Sequence, residues 1–156
     1  MIFNNITIIS GGQSGVDRAA LDFALKYHIP CGGWCPKGRI AEDGAIDLKY
    51  PLKETITSKY EQRTKKNVED SDATLIIIQN TSDKGTLLTK LLAKDKNKPI
   101  LEVNLSGDIR TLINQFKIWV NDNNITRLNI AGPRESSSQG IYKSALSFLE
   151  ELINGV

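Results

Sequence analysis

Three times along the chain an apolar run stops at a polar, glycine-bearing turn, and a helical pattern begins on the far side. The runs end at Ile9, Ile78 and Ala131. Few architectures accommodate that repetition. Strands alternating with helices read as parallel βαβ units, and in an open parallel sheet every strand C-terminus, with the turn that follows it, lies along one edge, where ligands bind. The expectation is an α/β chain: an open, mainly parallel, twisted sheet with helices on both faces. A length of 156 residues is that of one domain with a real core, so 1–156 is expected to form a single unit.

The first of these units is Ile6 to Arg18, ITIISGGQSGVDR. Ile6–Ile9 reads as a buried strand and Ser10–Gly15 as a turn. Gly15–Tyr27 reads as a helix with Val16, Ala19, Ala20, Phe23, Ala24 and Tyr27 on one face. The spacing is that of G-x-G-x-x-G with Ser10 in the first glycine's place. Glycines let backbone approach a ligand, and N–H groups at a helix start point at an anion; the alternative is a tight connection with no ligand. Asp17 suits the positive end of the helix dipole, whereas Arg18 opposes it unless a bound anion or a neighbouring carboxylate compensates.

The second unit has the strongest strand, Ala73–Ile78 (ATLIII), a continuous apolar run suited to a central position covered on both sides. After a turn from Gln79 to Thr86, a helix is expected over Leu87–Asp95 with Leu88, Leu91 and Leu92 inward. Gly85 and Thr86 make a second anion-capable terminus, or else Ser82, Asp83 or Thr86 simply caps the helix. Pro99–Val103 is a strand, and Ile109–Asn121 a helix with Leu112, Ile113, Phe116 and Val120 on one face. In the third unit Arg127–Ala131 leads through Gly132-Pro133-Arg134-Glu135-Ser136-Ser137-Ser138 into a helix over Ile141–Ile153.

Between the first two units the pattern is less regular. Ile29–Trp34 is short and extended. No acid stands at its end to hold a ribose, which counts against a dinucleotide dehydrogenase. Cys31 and Cys35 are separated by three residues and His28 is the one histidine, so neither a disulfide framework nor a tetrahedral metal site is expected. Free thiols imply a reduced, cytoplasmic compartment. Gly38–Pro51 is a long loop with Lys37, Arg39, Glu42 and Asp43 close together and with Ile40, Ile46 and Leu48 as apolar anchors, the composition of an ordered functional loop. Leu52–Ile56 adds a short strand and Tyr60–Asp70 a helix. On that helix Arg63 and Asn67, four apart, share a face that looks either into a site or into solvent. A net charge of +2 with no basic run argues against a nucleic-acid surface. No apolar run approaches membrane-spanning length, and a strand at the very start leaves no room for a secretory signal.

Several longer stretches carry a resemblance. SGGQSGVDRAALDFAL, GGWCPKGRIAEDG, YPLKET, YEQRTKKNVEDSDATLI, the GT of the second turn, and LNIAGPRES with GIY are similar to the putative molybdenum carrier family, the circularly permuted YpsA-like branch of the SLOG superfamily of Rossmann-like folds. The likeness runs from Ile8 to Leu149. It implies a three-layer, Rossmann-like fold, a homo-oligomer (dimer or tetramer) and recognition of a nucleotide or related phosphorylated small molecule. The family label further implies molybdenum cofactor as a carried ligand. Two departures stand out: Ser14 replaces the family's usual Thr but keeps the hydroxyl, and the second turn, SDKGT, is less glycine-rich than in some relatives.

On this resemblance an anionic ligand rests on the amides of Gly11, Gly12 and Gly15, with Arg18 and Arg134 neutralising charge and Thr86 and Ser136 donating hydroxyl hydrogen bonds. Gln13, Ser14, Asp17, Lys37 and Arg39 complete the expected site on one side. Gly85, Gly132, Pro133 and Glu135 complete it on the other. The chemistry reads as a binder's. A rival reading is a hydrolase of a nucleotide N-glycosidic bond. Related phosphoribohydrolases carry an acid three residues after Gly-Thr, where this chain has Thr89; Glu42, Asp43 or Glu135 would have to substitute. A nucleotide-sensing regulatory protein is the third reading.

Overall fold

Alternation of β-branched strands with amphipathic helices gives the elements in order along the chain. The structure, a computed structural model, describes residues 1–155. In the first half these are β1 (Thr7–Ile9), α1 (Val16–Lys26), β2 (Cys31–Gly32), β3 (Trp34–Cys35), β4 (Ile40–Ala41), β5 (Gly44–Ala45), β6 (Lys53–Glu54) and α2 (Tyr60–Glu69). In the second they are β7 (Ala73–Ile78), α3 (Lys84–Asp95), β8 (Ile100–Asn104), α4 (Ile109–Asp122), β9 (Arg127–Ala131), a 3₁₀ turn (Glu135–Ser137) and α5 (Ile141–Asn154).

The five long-range strands form one sheet in the order β2-β1-β9-β7-β8, and every pairing in it is parallel. The last strand lies in the middle. Counting from β9 and continuing through the N-terminus turns this order into 3-2-1-4-5, the strand order of a Rossmann sheet. The chain therefore has the Rossmann arrangement entered at a different point, and its topological switch lies beside β9.

The two faces of the sheet differ. Ile8, Leu75, Ile77, Leu128 and Ile130 point to the face covered by α1, α4 and α5, where they meet Phe23, Phe116 and Phe148 in the main core. Phe3 joins them, its ring 5.3 Å from Phe23 and 5.8 Å from Phe116. Packing at this density makes a large-to-small change such as Phe116→Ala cost about 3–5 kcal/mol. The alternate residues of β7 and β9, Thr74, Asn129 and Ala131 among them, face the opposite side, on which α2 packs against α3. Thr74 and Asn129 are buried and bonded to each other, the Asn129 amide donating at 3.3 Å. The polar residues among the strand apolars thus share the α2–α3 face.

Two expectations need correction. Helix α3 starts at Lys84, before the expected Leu87, because Asp83 caps it by accepting from the Thr86 N–H at 2.9 Å. Its buried residues are Thr86, Thr89 and Ala93, while Leu91 is 56% exposed. The small residues face inward, and the leucines flank them or face out. The long loop is ordered, as expected, but it contains the β4–β5 hairpin. Arg39 holds it together, donating to the carbonyls of Ile46, Asp47, Tyr50 and Leu52 at 2.7–3.2 Å. Tyr50 in turn donates to Asp22 of α1, which also accepts from Tyr142 of α5.

Candidate functional site

A cavity of about 600 Å³ opens at the C-terminal ends of β9 and β7, between α2 and α3. This is the switch-point position at which doubly wound sheets bind ligands, and the volume is that of a small-molecule site. Asn129, Ala131 and Gly132 form its floor. Helix α2 supplies Tyr60, Arg63, Thr64 and Asn67, and the start of α3 supplies Asp83, Lys84, Gly85, Thr86 and Thr89. From the first turn come Gly11, Gln13 and Asp17, and Arg134 and Ser137 stand at the rim.

The electrostatics centre on Asp17 and Arg63. Both are buried, and Arg63 Nη1 lies 3.8 Å from Asp17 Oδ2 while donating to the Gly11 carbonyl at 2.8 Å. Burial pushes the Asp17 carboxyl up to about 6; the Arg63 charge and the Gln13 N–H oppose that, and nearby Asp83 adds to it. A carboxyl that changes protonation near neutrality therefore faces the cavity. Asn67 is committed to structure: its amide accepts from Trp34 N–H at 2.7 Å and donates to the Trp34 carbonyl at 3.0 Å, so α2 holds β3 as a strand partner would.

The structure distributes the expected site residues between two places. Gly11, Gln13, Asp17, Gly85, Thr86, Gly132 and Arg134 line the cavity. Gly12, Ser14, Gly15, Arg18, Lys37, Arg39, Pro133, Glu135 and Ser136 do not. Of the three amides expected to hold an anion, that of Gly12 already has a partner, donating to Ser10 Oγ; beside it Gln13 N–H donates to Asp17 Oδ2 and Ser14 N–H to Gln13 Oε1. Gly15 has φ 80°, and a Cβ there would collide with the Pro133 carbonyl, so its glycine is required by the neighbouring turn. Arg18 takes the carboxylate alternative, pairing with Asp43 at 3.0 Å and donating twice to the Gly12 carbonyl.

Glu135 caps α5, accepting from the N–H groups of Gly140 and Tyr142. Lys37 is exposed, and Arg39 is the loop's internal staple. None of the three acids named for a hydrolase, Glu42, Asp43 and Glu135, lines the cavity. Thr89 is buried there, donating to the Gly85 carbonyl at 3.0 Å. Among the described residues no group of three or more metal-ligating side chains stands together.

Asp83, Lys84 and Asn129 belong to the cavity without having been singled out for it. Asn129 had a signal, a lone amide inside the apolar run RLNIA; a polar side chain in a buried strand has to point at a partner or a site. Arg63 and Asn67 had theirs in the four-residue spacing, and the inward alternative is the one realised for that face of α2.

A model of the circularly permutated YpsA SLOG family matches residues 8–153. Among solved structures, the crystal structure of Putative molybdenum carrier protein from Syntrophus aciditrophicus SB is similar, with 46% sequence identity, a TM-score of 0.93 and coverage of 96% of each chain. A comparison with curated proteins gives no match.

Proposed function

The chain belongs to the circularly permutated YpsA SLOG family, and on that premise we propose that it binds a phosphorylated nucleotide-like or pterin-like small molecule in the cavity between α2 and α3, as a carrier. The observation that supports this most is the cavity itself, a switch-point cleft of about 600 Å³ lined by hydroxyls and amides, with the cations Arg63, Lys84 and Arg134 beside the carboxylates Asp17, Glu61 and Asp83. The heterocycle would lie over Asn129 and Thr86, and the phosphate towards Arg134 at the rim. Molybdenum cofactor, which joins a pterin to one phosphate, is the cargo consistent with the similar protein's name. A carrier requires ring and phosphate contacts and shielding from solvent rather than a nucleophile. Mass spectrometry of what is released from the purified, denatured protein tests the proposal. A pterin phosphate or nucleotide in stoichiometric amount is expected, and an empty protein that takes up neither on incubation would oppose it.

A second reading, hydrolysis of a nucleotide N-glycosidic bond, is favoured by one observation: the Asp17 carboxyl faces the cavity with its pKa pushed by burial up to about 6, where a group exchanges protons readily. Thr89, where the phosphoribohydrolases carry their acid, counts against it. Release of adenine from adenosine monophosphate should be undetectable. Release proportional to enzyme and abolished by Asp17→Asn would decide for the hydrolase.

A further inference from the structure

The cations expected to neutralise a ligand are already engaged with anions of the protein's own. The tip of the β4–β5 hairpin carries Glu42 and Asp43. The Glu42 carboxylate accepts from Ser14 Oγ, from the Ser136 N–H at 3.1 Å and from Ser136 Oγ at 2.5 Å, and lies 3.7 Å from Arg134 Nε. Asp43 takes two N–H groups of Arg18, at 3.0 and 3.1 Å. One backbone N–H, two hydroxyls and a guanidinium converging on one anion, with a second guanidinium beside it, form a donor set suited to a tetrahedral oxyanion. A carboxylate fills it with two oxygens and one charge, whereas a phosphate monoester brings three terminal oxygens and up to two charges. Burial raises the Glu42 carboxyl, but the hydrogen bonds from Ser136 and Ser14 outweigh it and hold the group below its ordinary value, so it stays an anion at neutral pH.

This cluster adjoins the cavity, since Arg134 belongs to both and Ser137 lines the cavity next to Ser136. The hairpin is lightly held. Its strands are two residues each and pair only with one another, and Glu42, Asp43, Gly44 and Ala45 are exposed as residues. Beyond the two carboxylates, the tip is tied to the first turn by the Glu42 N–H donating to Gln13 Oε1 at 2.8 Å. The tip itself buries no apolar side chain, whereas Ala41 and Ile46 at its base pack with Leu21, Cys35 and Tyr50, so release is confined to the tip.

We propose that Ser14, Ser136, Arg134 and Arg18 form a phosphate subsite at the cavity rim, that Glu42 and Asp43 occupy it in the ligand-free protein, and that the phosphate of an incoming ligand displaces the hairpin tip. The role in ligand binding rests on the cavity reading above; the subsite itself can be probed with inorganic phosphate alone.

The test compares wild type with Glu42→Gln and with the Glu42→Gln/Asp43→Asn double variant, titrated with inorganic phosphate in a calorimeter at low salt. Removing the internal anions should tighten phosphate binding by about tenfold or more in the double variant, and Ser136→Ala added to it should reverse the gain. In wild type, saturating phosphate should speed hydrogen exchange at the Glu42 amide. Equal or weaker phosphate binding by the variants, with exchange at Glu42 unmoved, would overturn the proposal and leave the two carboxylates as loop anchors. If the double variant gains phosphate binding while no nucleotide or pterin phosphate binds the protein, the subsite stands and the cavity reading fails. If nucleotides or pterin phosphates bind but the variants gain nothing for phosphate, the subsite fails alone.

Discussion

Asp17 is a buried carboxyl that lines the cavity. Its folded pKa is raised from 3.8 to about 6, so between those values the folded state holds more protons than the unfolded chain. Stability attributable to this group is therefore fully present below about pH 4 and is lost as pH rises through 6. A shift of this size corresponds to a loss on the order of 3 kcal/mol. Urea unfolding of wild type and Asp17→Asn at pH 4 and pH 7.5 isolates it, and wild type should lose more stability than the variant over that interval; equal losses would show that Asp17 is already ionised at pH 4. Charged residues were the least legible from sequence. Arg18, Arg39 and Glu135 were named as ligand groups on the family resemblance, and in the ligand-free protein their partners are a distant carboxylate, a set of carbonyls and a helix start. Which anion an arginine meets depends on which loop folds over it, and no local pattern encodes that.

Elements were more legible, because periodicity is a local property. The strands at Ala73–Ile78 and Arg127–Ala131 and the apolar face of α4 appear where the pattern put them. The β4–β5 hairpin was hidden, as two-residue strands are too short to show alternation. The start of α3 was missed because Asp83, one of three candidate caps, takes the role. Asp83→Ala should destabilise the fold by about 1 kcal/mol, read by thermal or urea unfolding. Gly15→Val should be far worse than an ordinary surface change, since it adds both a disfavoured φ and the collision with Pro133. Reduced soluble yield and a lowered Tm are the expected outcomes, and a Tm equal to wild type would contradict the packing of the first turn against the third.

At the scale of the molecule, the parallel sheet, its covered faces and the edge where the cavity opens all follow from alternation, and they were legible as such. The position of β9 in the middle of the sheet was not, because strand order depends on pairings between residues far apart in sequence. Yet that placement puts the switch point, and with it the cavity, between the third turn and the second. No helix among the described residues is long and apolar enough to cross a membrane. The family resemblance implies a homo-oligomer, and exposed apolar side chains such as Leu48, Ile56, Ile118, Leu87 and Leu91 stand on several faces that an assembly would cover. Light scattering at micromolar concentration should give a dimer or tetramer, and a particle of 17.3 kDa would argue against one.

Calorimetric titration of wild type and Arg134→Ala with molybdenum cofactor, a pterin phosphate and a panel of nucleoside monophosphates bears on the cavity as a phosphorylated-ligand site. Arg134 is half exposed, and its guanidinium's nearest anion is Glu42 at 3.7 Å, so the variant should fold as wild type does. At least one of these ligands should bind wild type at one site per chain and bind Arg134→Ala more weakly by about 1.5–3 kcal/mol, the loss of a charged hydrogen bond. No binding by wild type, or equal binding by the variant, would contradict it.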